Sequence, residues 1–169
     1  YAHAATGELH LRPILDLKTQ EGTDLFKIVA TDIAKLVKQY KGSLSGEHGD
    51  GRLRGEFIPF MLGEEIYQLF KEVKKTWDPW NIFNPGKIVD TPSMNTFLRY
   101  TPGQITPELE TVLDFSGTKG IVRAAEMCNG SGDCRKTEIS GGTMCPSYMA
   151  TRKEKDATRA RANILRETI

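Results

Sequence analysis

Residues 91–118 set the strongest limit on what this chain can build. Pro92, Pro102, Gly103, Pro107 and Gly117 fall there among many Thr and Ser residues, and such a stretch favours turns and extended backbone over a helix or a central strand. A single core running through all 169 residues is therefore not expected. The chain reads as three parts: a first domain over residues 1–90, a linker or extended arm over 91–118, and a smaller unit over 119–169. Apolar residues make up 38% of the chain, enough for a modest core. No run approaches the ~18–20 uninterrupted apolar residues of a membrane span. The 23 Lys and Arg residues against 22 Asp and Glu leave a net charge of +1, which argues against a nucleic-acid partner, because such proteins carry a basic excess or stripe. The opening Tyr1-Ala2-His3 has no features of a targeting segment, and a helix-like pattern runs up to Ile169. The expectation is a piece of a longer polypeptide.

Within the first part, Glu8-Leu9-His10-Leu11-Arg12 alternates polar and apolar, so Leu9 and Leu11 share one strand face and Glu8, His10 and Arg12 the other. Pro13 ends that pairing. Between Thr23 and Tyr40, Leu25, Ile28, Val29, Ile33, Leu36, Val37 and Tyr40 recur at helical spacing. This predicts a helix capped near Thr23 and closed by Gly42. A second helix is expected through Ile66, Leu69, Phe70, Val73 and Trp77, ending at Asp78-Pro79, with Phe70 and Trp77 as core residues. Further on, short helices are predicted over Gly120 to Met127 and over Lys155 to Glu167.

All three histidines lie in the first 48 residues. His3 and His10 are seven steps apart and would face opposite sides of one continuous strand, but Thr6-Gly7 supplies a turn that lets both rings converge. Glu47 and His48 sit in Ser45-Gly46-Glu47-His48-Gly49-Asp50-Gly51-Arg52, where glycine density favours a tight irregular loop. Two imidazoles and a carboxylate are a common ligand set for a divalent ion with an open coordination position. Adjacent side chains normally diverge, so one of Glu47 and His48 can bind an ion while the other points at a substrate. Ordinary surface histidines are the alternative that spacing alone leaves open.

Three ordered motifs carry a family resemblance: His3-Ala4-Ala5-Thr6-Gly7-Glu8-Leu9-His10, then Gly46-Glu47-His48-Gly49-Asp50-Gly51, then Trp77-Asp78-Pro79-Trp80-Asn81-Ile82-Phe83-Asn84-Pro85-Gly86-Lys87. Together they resemble the C-terminal region of FAD-linked oxidases of the vanillyl-alcohol-oxidase type. The resemblance implies an α+β fold, a partial antiparallel sheet with packed helices, and FAD held mainly by an upstream domain. It also implies His3, His10 and Glu47 as ligands of a divalent metal, zinc or similar, and His48 as catalytic base. Asn84 would lie near the flavin, although a purely structural turn fits that segment as well. Where the family usually has Gly-Asp-Gly-Asn inside the first motif, this chain has Ala5-Thr6-Gly7-Glu8. Some relatives carry a substrate-binding Asn two residues past the second histidine; here that position is Arg12, whose forked guanidinium suits a carboxylate. A solvated or structural ion pair is the other reading of Arg12.

The three cysteines, Cys128, Cys134 and Cys145, all follow residue 118. Three thiolates cannot fill the four positions of an all-Cys cluster. Cys128-Asn129-Gly130-Ser131-Gly132-Asp133-Cys134, Met144-Cys145-Pro146-Ser147-Tyr148 and Arg159-Ala160-Arg161-Ala162-Asn163 resemble the start of a 4Fe-4S ferredoxin-type helical domain fused behind the flavin domain of large oxidoreductases. Ser131 stands where a ferredoxin run has a middle cysteine. The resemblance implies partial cluster ligation by Cys128, Cys134 and Cys145 in a reducing cytoplasm, peripheral to the inner face of the membrane at most. Isolated thiols or a zinc knuckle are the alternatives. Arg152, Lys153, Lys155, Arg159 and Arg161 alternate with Glu154 and Asp156, the pattern of a solvated helix face.

The resulting expectation is a fragment of a flavin- and iron-sulfur-dependent enzyme that oxidises a small D-2-hydroxy acid, D-2-hydroxyglutarate first, and passes electrons to an external acceptor. D-lactate or glycolate oxidation is the enzymatic alternative, and a non-catalytic metal-binding or docking module the other.

Overall fold

The structure is a computed structural model of the chain and describes residues 2–142 and 144–169. It divides into two compact units, Tyr1–Gln104 and Ile105–Ile169. It is mostly helical, with one small antiparallel sheet, which fits the α+β expectation for the first part.

Unit 1 begins with a hairpin. Strand β1 (Ala2–His3) pairs antiparallel with β2 (Glu8–Leu9), Ala2 opposite Leu9 and His3 opposite Glu8. Gly7 takes the left-handed conformation (φ +68°) that closes the turn. The Thr6 amide donates to His3 O at 3.3 Å and its hydroxyl to Glu8 Oε2 at 2.9 Å. The strand expected through Arg12 stops at Leu9. Arg12 lies outside the strand and does not share a strand face with His10.

Helix α1 spans Gln20–Gln39 and starts earlier than predicted. Its cap is Thr19, whose Oγ1 accepts from the Gly22 amide at 3.0 Å. Thr23 is instead buried one turn inside, with its hydroxyl donating to Thr19 O. A side chain at Gly22 would meet Asp16 O at 1.9 Å, so the tight entry requires glycine. At the other end the Gly42 amide bonds Val37 O and the Lys41 amide bonds Lys38 O, with Lys41 left-handed at φ +56°. This is a Schellman closure in which Lys41 occupies the position usually taken by glycine.

The buried stripe of α1 is rotated from the expected one. Ala34, with Phe26 and Ala30 beside it, packs on Phe57, Met94, Leu44 and Met61, whereas Leu25, Ile28 and Leu36 are exposed. Helix α2 (Ile58–Leu62) and helix α3 (Glu64–Trp77) follow, broken at Gly63 with φ +92°. In α3 Tyr67 is buried, but Ile66, Leu69, Val73 and Trp77 lie outward. Trp77 is 83% exposed and is not a core residue, while Phe70 is half-buried. The amphipathic spacing of α3 is real, yet α2 covers only part of its apolar face.

Asp78 stops α3. Its carboxylate accepts from the Ile82 and Phe83 amides, both at 2.9 Å, and pairs with Lys74 at 2.5 Å. The first half of the expected linker is folded into unit 1. Met94 is a core residue, and its amide donates to Glu56 Oε1 at 2.7 Å. Lys27 ties both sides together, bonding Glu56 and the Ser93 hydroxyl.

Among its described residues, unit 2 holds the short α-helices α4 (Ile121–Glu126), α5 (Pro146–Thr151) and α6 (Thr158–Thr168). Val122 and Ala125 are the buried residues of α4, which lies against α6. Cys134, Cys145 and Ala157 form a second small core with Tyr148 and Ala160. The helix expected from Lys155 is a 3-10 turn over Glu154–Asp156 followed by α6. Among the described residues no helix is long and apolar enough to cross a membrane.

Candidate functional site

The hairpin turn brings the histidines together. With the chain reversed at Ala4 to Gly7, the His3 and His10 rings lie 4.8 Å apart centre to centre, and His48 stands 5.7 Å from His10. The glycine loop delivers Glu47 between them. Gly46 runs directly against the hairpin, where a Cβ would meet Glu8 Oε1 at 1.7 Å, and Gly49 and Gly51 turn the chain at φ +71° and +57°. Larger residues at these points would strain the backbone or push the Glu8 carboxylate aside.

A single oxygen, Glu47 Oε1, collects three imidazole nitrogens. His3 Nε2 lies at 2.9 Å, His48 Nε2 at 3.2 Å and His10 Nε2 at 3.5 Å. The side chains of Glu47 and His48 therefore converge, where adjacent positions were expected to diverge. The rings differ in burial: the His10 side chain is 19% exposed and His3 32%, but His48 is 71%.

His3, His10 and Glu47 each offer one donor atom, all within 4.8 Å of one another, and they are the metal-capable cluster found among the described residues. A four-coordinate ion with bonds near 2.1 Å places its ligands about 3.4 Å apart. The Glu47 to His3 and Glu47 to His10 separations fall on either side of that value. The donor set of two nitrogens and one carboxylate oxygen, half-sheltered and leaving one side open, fits a divalent ion.

A cavity of about 280 Å³ opens beside the cluster. His10, Glu47, His48 and Arg12 line it, with Phe26, Val29, Ile33 and Phe57 as an apolar floor. Arg54 also reaches it and was not singled out by the sequence reading. Its Nη2 donates to Gly49 O at 2.5 Å and lies 3.5 Å from Ser45 Oγ. No spacing rule points to an arginine seven positions past a glutamate on an irregular loop; the signal is the folded path of the loop itself. Burial pushes the nearby Asp50 carboxyl above its usual range, and the Arg54 charge works against that.

Asn84 lies elsewhere in unit 1. It is left-handed at φ +48°, its Oδ1 accepts from Lys87 Nζ at 3.1 Å, and it lines a groove of about 590 Å³ with Phe70, Trp77 and Phe83. The Ile88 amide donates to Gly51 O at 2.8 Å, joining this turn to the glycine loop.

The cysteines of unit 2 are not gathered in the same way. Cys134 and Cys145 are buried, Cys128 is half-buried, and all three are unbridged. No group of three metal-capable side chains that includes a cysteine occurs among the described residues. The Tyr148 amide, followed by the Thr158 hydroxyl, draws the Cys145 thiol below its usual range.

Residues 1–88 match the family described as FAD linked oxidases, C-terminal domain. The chain is 35% identical to a D-2-hydroxyglutarate dehydrogenase of Pseudomonas putida KT2440, an alignment covering 99% of this chain and 16% of that protein. It is 33% identical to the protein of that name in Escherichia coli K12, again over 99% of this chain and 16% of the relative. Over 52% of this chain and 19% of the relative it is 28% identical to the glycolate oxidase subunit GlcD of Bacillus subtilis. The chain thus spans 16% of the length of the first two relatives. No solved structure matches it.

Proposed function

The chain belongs to the FAD linked oxidases through their C-terminal domain, and on that premise we propose that it carries the ion and proton-transfer site of a flavoprotein that oxidises a D-2-hydroxy acid. D-2-hydroxyglutarate is the proposed substrate, ahead of D-lactate or glycolate, because relatives bearing that name align over 99% of this chain. The observation that carries the reading is the meeting of His3, His10 and His48 on one oxygen of Glu47.

In this proposal His3, His10 and Glu47 hold a divalent ion. When bound, such an ion would supply Lewis acidity toward the substrate hydroxyl, and FAD would supply the hydride acceptor. The remaining work falls to side chains of this chain. His48 is the exposed imidazole of the three and lines the cavity, so it is proposed as the base that takes the hydroxyl proton. Loss of that proton and of the Cα hydride converts the alcohol to a 2-oxo acid. Arg12, exposed on the rim of the cavity, offers a fork to a substrate carboxylate, orienting the reacting carbon. The apolar side chains of Phe26, Val29, Ile33 and Phe57 would limit water in the cavity. Asn84, on a groove of mixed apolar and polar lining, is proposed to face the flavin.

For unit 2 the proposal is narrower. Cys128, Cys134 and Cys145 supply part of the ligand set of an iron-sulfur cluster in a ferredoxin-type arrangement. Three thiols that this structure leaves unassembled do not fit a complete cluster, so no electron-transfer step is assigned to them.

The test is anaerobic reduction of the flavin in the full-length protein by D-2-hydroxyglutarate, D-lactate and glycolate. The expected result is fastest reduction by D-2-hydroxyglutarate, with His48→Ala keeping its FAD and losing ~10²–10⁴-fold in reduction rate. Full retention of rate in His48→Ala removes that residue from the mechanism. A flavin left oxidised by all three acids makes the chain a binding module instead.

A further inference from the structure

The loop that carries Glu47 and His48 is built from residues that resist order. Glycines stand at 46, 49 and 51, two of them left-handed, and Glu47 and His48 are both exposed. Such a segment loses more backbone freedom on ordering than any other composition. An ion site nevertheless needs its donors held before the ion arrives.

Arg54 answers that need. Its backbone is fixed from both directions: the Arg54 amide donates to Asp50 O at 3.0 Å and Arg54 O accepts from the Phe57 amide at 3.0 Å. The residues that follow it are anchored in the core, for Gly55, Phe57 and Ile58 are buried, and a Cβ on Gly55 would meet Thr91 Cγ2 at 2.3 Å. From this rigid base the guanidinium reaches back across the loop. Its Nη2 contacts Gly49 O on one flank of the Glu47-His48 pair and Ser45 Oγ on the other. Its charge also acts on the Asp50 carboxyl of the same loop, so the interactions of the side chain lie with the loop.

We propose that Arg54 is a positioning residue that clasps both flanks of the Glu47-His48 loop and thereby presets the carboxylate of Glu47 against His3 and His10. It is not one of the ion's ligands and acts on them through the loop. This inference rests on the reading of His3, His10 and Glu47 as ion ligands. Outer-shell groups of this kind typically change metal affinity by ~10–100-fold when removed.

The test is titration of the metal-stripped full-length protein with Zn²⁺ alone, comparing wild type with Arg54→Met, which keeps the apolar stem, Arg54→Gln as a second neutral variant, and Arg54→Lys. The expected result is Zn²⁺ affinity ~10–100-fold weaker in Arg54→Met and Arg54→Gln, with unchanged thermal unfolding of the metal-free protein. Partial recovery is expected in Arg54→Lys and on adding guanidinium ion to Arg54→Met. Wild-type affinity in whichever neutral variant folds overturns the role of Arg54 and leaves the ion site standing. Wild-type protein whose Zn²⁺ binding is indifferent to His3→Ala and Glu47→Ala overturns the ion site, and the clasp with it.

Discussion

The two units handle their metal-capable side chains in opposite ways. In unit 1, donors from two distant segments, residues 3–10 and residue 47, arrive within 4.8 Å of one another. In unit 2, three cysteines within 18 positions of sequence form no such group, although two of them share a core. Proximity in sequence is thus a poor guide to a site. What assembles unit 1 is backbone that can turn sharply: Gly7 reverses the hairpin, Gly46 passes against Glu8, and Gly49 and Gly51 fold the loop back. In unit 2 the buried thiols are held by local packing against Ala157, Tyr148 and Ala160.

If the units are separate cores, damage to one should stay there. The largest effect is expected from Phe57→Ala in the core of unit 1, a loss of about 3–5 kcal/mol. Hydrogen exchange should then quicken across α1 and leave α6 unchanged. Ala157 is fully buried in unit 2, and Ala157→Leu overpacks that core at about 1–3 kcal/mol, with faster exchange in α6 and none in α1. Changes that spread to both helices in either variant would join the two cores into one.

A smaller, pH-dependent effect is expected from Asp78. The Lys74 ammonium first, then the Ile82 and Phe83 amides, hold its carboxyl below the usual range. A depressed folded pKa contributes stability that is present above the unfolded value and is lost as pH falls through the folded one. Asp78→Asn should therefore lower the melting temperature at pH 7 and flatten its decline below about pH 4, a difference read by melting both proteins across pH 2–7. Asp50, raised by burial, has the opposite sign: its contribution is most favourable at low pH and falls as pH rises toward neutrality.

Several features of this arrangement are legible in sequence because local rules govern them. The odd spacing of His3 and His10, with Thr6-Gly7 between, calls for a turn, and the turn is there. Helices near Gln20–Gln39, Glu64–Trp77 and Ile121–Glu126 announce themselves by apolar spacing. Their ends and faces are less legible. The cap expected near Thr23 lies one turn earlier, at Thr19, whose Oγ1 accepts the Gly22 amide where Gly22 passes close to Asp16. Met94 sits in a stretch whose prolines read as a linker, yet one bond from its amide to Glu56 and a place beside Ala34 fold it into the core. Trp77 follows the helical period of α3, yet it is exposed, because helical spacing alone does not say what packs over the last turn. Arg54 is invisible because its meaning depends on where the loop returns, which no residue spacing encodes.

The contrast between the units meets its most direct test in metal analysis of the purified full-length protein, comparing wild type, His10→Ala and Cys134→Ser for divalent ion separately from iron. The account predicts a stoichiometric divalent ion in wild type, its loss in His10→Ala, and its full retention in Cys134→Ser. A divalent ion that survives His10→Ala, or one that disappears with Cys134→Ser, would contradict it.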